Sequence, residues 1–364
     1  MRIDFDRQRW DRVKDNSRNW WAGELGRPLI QMRLHGADPG RPEPELPARH
    51  FTAQYGTAVS AEAIVDRWDY DLAGTVHLGD AFPVVWPNYG PGVLAAMIGA
   101  EPEVRDETVW FHPRAQVKID DLSFAVDSSD PWLQRIRDIN KAAAARWGDL
   151  VQVGMTDLGG AFDVLSTFRP GEQLLLDLYD HPGAVMRQID ALHAHWFAVF
   201  DLFNQDLQRF NPGYTAWTPI YSSTPYYMLQ CDFAYMIGPD MFDRFVKPEL
   251  TASCERLSNP FYHLDGPGQL PHLDSLLSIE ALKGVQWVPG DGQPGITEWP
   301  EVYRKIRDAG KLIQVFSGQS EIGYKALDVL SDQLSDASPI IMIGETDIAA
   351  MDEVMAFLAA YGAA

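Results

Sequence analysis

The chain has 364 residues, 46% hydrophobic and 12% aromatic, enough to bury a large core in one or two domains. A formal net charge of -21 argues against a nucleic-acid binder, which neutralises phosphates with clustered Lys and Arg, and against an anionic membrane surface. Two cysteines, Cys231 and Cys254, leave no disulfide framework and no Cys-x-x-Cys metal motif, and with no apolar leader and no run of about eighteen apolar residues the expectation is a cytoplasmic protein.

Residues 4–22 carry Phe5, Trp10, Val13, Trp20 and Trp21 among charges, so residues 1–26 read as an amphipathic helical arm. A first strand follows at 27–34, then a Pro- and Gly-rich loop at 36–48, a helix at 57–69 and a second strand at 72–78. Further strands are predicted at 150–155, 214–220, 261–264, 284–288, 312–316 and 340–343. Helical patterns lie between them at 131–147, 171–178, 182–208, 239–257, 269–281, 298–309, 321–335 and 348–361. Eight strands alternating with helices predict an α/β fold, a (β/α)8 TIM barrel over 27–364 with an excursion at 101–130. No Gly-x-Gly-x-x-Gly motif opens a helix after a strand, and no P-loop is present.

A barrel places chemistry where strand C-termini meet their loops. That position selects Arg33, His77, Asp80, Asp157, Gln230, Cys231, Asp232, His263, Asp265, Glu345 and Asp347. His263 and Asp265 are two apart on one strand, so they project from one face before Gly266-Pro267-Gly268 breaks the run. They form either a metal half-site that needs a further ligand or a structural pair in which Asp265 caps the turn. Cys231 reads as a thiolate ligand or as a small buried hydrophobe. Arg33 reads as a fork for a substrate carboxylate or as the partner of an internal acid. Two aromatic loops, with Phe82, Trp86 and Tyr89 in one and Trp217, Tyr221, Tyr226 and Tyr227 in the other, are candidate pocket walls, joined by Gln230, Gln286 and Trp287.

The order of Arg27-Pro-Leu-Ile-Gln-Met-Arg33, Gln230-Cys-Asp232, Met236-Ile-Gly-Pro-Asp-Met-Phe242, His263-Leu-Asp265-Gly and Gln286-Trp287 resembles the uroporphyrinogen decarboxylase superfamily, over nearly the whole chain and most specifically over 230–310. That resemblance implies a (β/α)8 barrel with a deep active-site mouth. The decarboxylase branch continues Met-Arg with Gln-Ala-Gly-Arg and carries Asn-Leu-Gly-His-Gly near its end, and this chain has neither. The zinc-dependent methyltransferase branch, which acts on methylated corrinoid proteins and thiols, uses His-x-Cys and a cysteine after a glycine near the last strand. Its metal positions fall on His263, Asp265 and Glu345, with carboxylates in place of thiolates. The expectation from this branch is a methyltransferase or demethylase component for a small molecule. It would hold a divalent metal, Zn²⁺ first among them, and have a corrinoid protein as partner. Asp80, Asp232 and Arg33 are its expected catalytic contacts, and oligomerisation is left open. The alternative is a cofactor-free decarboxylase in which Arg33 binds a carboxylate and Asp80 stabilises a protonated intermediate.

Overall fold

Runs of Ile, Val, Leu and aromatic residues set the strands of the computed structural model, which describes residues 3–364. In chain order they are β1 (Leu29–His35), β2 (Thr75–Gly79), β3 (Val84–Val85), β4 (Glu101–Val104), β5 (Val109–His112), β6 (Gln152–Val153), β7 (Tyr226–Gln230), β8 (Asn259–Asp265), β9 (Gly284–Val288), β10 (Leu312–Phe316) and β11 (Ile340–Asp347). Seven of them form one sheet in the order β2-β1-β11-β10-β9-β8-β7. Every neighbouring pair in it is parallel except β1 with β2. β7 is buried along its whole length and β8 to β11 over most of theirs, as expected of a parallel sheet covered by helices. The short β3 and β6 pair in parallel, and β4 with β5 makes an antiparallel hairpin within 101–130.

Two of the eight predicted strands take other forms. The segment near 72–78 becomes β2, which runs back antiparallel along β1 and ends the sheet. The 214–220 segment makes only an isolated bridge between Tyr214 and Ser222, because Pro219 has no N–H to give a ladder. The strand of that region is β7, formed by the aromatic and aliphatic run Tyr226–Gln230 after Pro225.

The N-terminal arm is the helix Arg7–Trp21, capped by Asp6, whose side chain accepts from Arg9 N at 2.8 Å. Its apolar side seals one end of the sheet. Trp20 stacks on Phe261 at 6.2 Å, Trp21 donates to Tyr221 O at 2.9 Å, and Trp10 packs on Phe82 and Tyr221. Among the described residues no helix is long and apolar enough to cross a membrane.

Candidate functional site

Register brings four polar residues into one row. Gln230 on β7 is the partner of His263 on β8, His263 of Gln286 on β9, and Gln286 of Gln314 on β10. Register partners on adjacent strands share a face, so these side chains lie side by side where a barrel or sheet core ordinarily holds Val, Ile or Leu. Gln286 and Gln314 are fully buried. Their polar atoms form a chain: His263 Nδ1 meets Gln286 Oε1, and Gln286 Nε2 donates to Gln314 Oε1. Gln314 Nε2 is buried without a partner. Trp217 stands edge-on to His263 with ring centroids 5.3 Å apart, and its buried indole N–H also has no partner.

Beside this row lie Asp232, His263 and Asp265, each offering one ligand atom within 4.8 Å of the others. Asp232 opens the short turn after β7, and Asp265 ends β8, with His263 Nε2 3.9 Å from Asp265 Oδ2. The chain then turns away through Gly266 at φ +75°, a left-handed conformation that suits glycine. Tyr235 lies over Gly268 so closely that a Cβ there would come within 2.4 Å of the ring.

The electrostatics of the cluster are those of crowded acids. Asp232 reaches solvent, yet the atoms packed round its carboxyl and the charge of Asp265 raise it to about 6. Asp163 and Asp157 are raised to about 7, first by burial and then by the neighbouring carboxylates, Asp232 among them for both. Burial holds the His263 imidazole below its ordinary value, against the pull of Asp265 and Gln286. Asp163 lies on the helix Ala161–Phe168 and accepts from Phe233 N at 2.9 Å, which ties that helix to the Asp232 turn. Gly160 permits the approach: a Cβ there would lie 2.1 Å from Gln230 O.

The other sequence candidates lie elsewhere or serve packing. Glu345, expected as the third metal ligand, instead meets Arg33 at 2.5 Å and His35 at 3.3 Å across the β1–β11 pair, and Asp232 takes its place in the cluster. Arg33 and Asp80, expected to act jointly, lie at different points along β1. Asp80 sits beside the start of β1, paired with Arg27 at 2.7 Å and accepting from Ile30 N and Asn16, away from the strand ends that carry the cluster. His77 is buried on β2, and burial with the nearby Arg33 and Arg9 charges lowers it to about 3. Tyr221 packs under the arm, Tyr226 bonds Thr218 in the core at 2.6 Å, and Trp287 packs edge-on against Trp299 at 5.2 Å. Tyr89 faces Trp132 across a separate apolar cleft, whereas Trp86 is half-buried after β3. The Cys231 thiol is buried, and burial beside Asp163 raises it well above its usual value, which suits a packed thiol.

A cavity of about 200 Å³ below the arm is lined by Arg9, Arg12, Arg27 and Asp80. Arg27 is already spent on Asp80, and Arg9 on the carbonyls of Asp4 and His77. The acid and imidazole groups that converge on one another lie instead at the Asp232 cluster. Sequence reasoning missed Gln314 and Asp163. The available signal for Gln314 was a lone Gln inside the apolar run Leu-Ile-Gln-Val-Phe, while Asp163 gave none.

No protein-family model matches the chain, and a search of curated proteins returns no relative.

Proposed function

We propose that this chain is a metal-dependent enzyme of the methyltransferase-like branch of the uroporphyrinogen decarboxylase superfamily, folded as a (β/α)8 barrel. The eight barrel strands in this reading are β1, β3, β6, β7, β8, β9, β10 and β11. What supports closure is that β3 and β6 run parallel, that Asp80 N bonds Ile30 O before β3, and that Gly160 after β6 presses on the end of β7.

The observation that carries the functional reading is the convergence of Asp232, His263 and Asp265 within 4.8 Å. One imidazole and two carboxylates suit Zn²⁺ or another divalent ion, and three protein ligands leave a coordination position open. Burial first, and the neighbouring carboxylates after it, raise Asp232, Asp163 and Asp157, and a cation would relieve the part that comes from like charge. When bound, such an ion supplies Lewis acidity to an oxygen, sulfur or nitrogen group of a small substrate. The chain's own residues bind and orient. Trp217 walls the imidazole, and Tyr235 covers the turn after Asp265. Methyl transfer with a corrinoid protein as partner, in the cytoplasm, is the activity this reading assigns.

Elemental analysis and calorimetric titration with Zn²⁺ test it. The expected result is one ion bound per chain in the wild type, lost in Asp232→Ala, His263→Ala and Asp265→Ala. Absence of stoichiometric divalent binding in the wild type, or its retention in all three variants, overturns the reading.

A further inference from the structure

We propose that Gln286 and Gln314 form a positioning relay that holds His263 as its Nδ1–H tautomer and keeps the Nε2 lone pair for a divalent ion. The importance of that lone pair rests on the metal reading of the cluster; the relay itself rests on hydrogen-bond direction.

A carboxamide oxygen only accepts, and a carboxamide nitrogen only donates. With the amides oriented so that Gln286 Oε1 faces His263 Nδ1, the proton belongs on Nδ1, whereas inverting both amides would place it on Nε2. Gln286 Nε2 is then directed to Gln314 Oε1, which fixes the second amide in turn. The opposite edge of the imidazole has no matching acceptor. Asp265 Oδ2 stands 3.9 Å from Nε2, beyond hydrogen-bond length, so a proton on Nε2 would have no acceptor there in the protein. Nε2 is thus a bare lone pair facing acids, an arrangement that a cation completes. Metal-bound histidines generally depend on such an outer acceptor for orientation and basicity, although a carboxylate or backbone carbonyl is the more usual group. Both glutamines are fully buried on adjacent strands at register positions, so their amides are held by packing as well as by each other. The cost is borne at the end of the chain, where Gln314 Nε2 has no partner.

The relay is tested on the full chain by nitrogen-15 NMR of labelled histidines in metal-free protein. The His263 signals are identified by their loss in His263→Asn. The relay predicts Nδ1–H in the wild type and a mixture of tautomers in Gln286→Leu. Zn²⁺ affinity should fall roughly 10- to 100-fold in that variant. Gln286→Glu retains an acceptor and should restore both the tautomer and the affinity, which a loss of packing alone would not allow. If Gln286→Leu does not fold, Gln314→Leu frees the Gln286 amide to invert and should give the same mixture with a smaller loss of affinity. An Nε2–H tautomer in the metal-free wild type overturns the proposal, as does an unchanged tautomer and affinity in the folded leucine variant. If His263 is Nδ1–H but no Zn²⁺ binds, the relay stands and the metal reading falls.

Discussion

Asp163 Oδ1 accepts a 2.9 Å hydrogen bond from the backbone N–H of Phe233, the residue after Asp232. A helix that follows β6 thereby holds the turn that follows β7. Asp163→Ala leaves that N–H unpaired and should cost about 1 to 3 kcal/mol in urea unfolding. It should also weaken divalent-ion binding by loosening Asp232. Asp163→Asn keeps an acceptor and should lose less of both.

Three acids, Asp157 buried and Asp163 and Glu249 partly so, tie stability to pH. Asp157, Asp163 and Glu249 are each raised to about 7, chiefly by burial, so the folded state favours their protonated forms. Their contribution is fully present below the unfolded carboxyl range and is lost as pH rises through about 7. Glu249, which accepts from Ser253 Oγ at 2.9 Å on its own helix, is not the acid that bonds the cluster's turn and is the cleanest to change. Glu249→Gln should flatten part of the decline between pH 5 and 8, by on the order of 1 to 3 kcal/mol in chemical denaturation. An unaltered pH slope would show that Glu249 does not contribute.

Asp80 and Arg27 form an ion pair with the carboxylate almost wholly buried, and Asp80 also accepts from Ile30 N. Removing one partner of such a pair strands the other charge. Asp80→Ala should therefore cost about 3 to 5 kcal/mol in thermal or urea unfolding. Zn²⁺ affinity of the remaining folded protein should not change, since Asp80 lies away from the cluster.

Glu345 separates the expected ligand set from the acid and imidazole cluster that the structure brings together. The His35 hydrogen bond and the Arg33 charge hold its carboxyl below the usual value. It is half exposed, so its ion pair is worth less than about 1 kcal/mol. Glu345→Gln should leave Zn²⁺ titrations unchanged, and a loss of binding would return Glu345 to the ligand set.

The candidate site was legible wherever it depended on one strand. His263 and Asp265 follow from period-two geometry in an apolar run, and the positions of β8 to β11 follow from their aliphatic composition. What depended on which strand lies beside which was not legible. Asp232 joins His263 only because β7 is formed by Tyr226–Gln230, a run that reads equally well as an aromatic loop. Gln314 joins Gln286 through register, a relation between strands that no local pattern encodes. Asp80 was misplaced for the same reason. The strand before it runs antiparallel, and a reversed strand delivers its last residues to the opposite end of the sheet.

The β1–β11 ladder pairs Leu29–His35 with residues 341–347, nearly the full length of the chain apart. Its loop-closure entropy is met only when β11 is available, so the sheet cannot join β1 to β11 before residues 341–347 have been made. During synthesis, the apolar edge of β1 must wait unpaired on that side. Nascent chains are thus most exposed to misassociation until β11 has been made, and the Arg33–Glu345 contact cannot form before it.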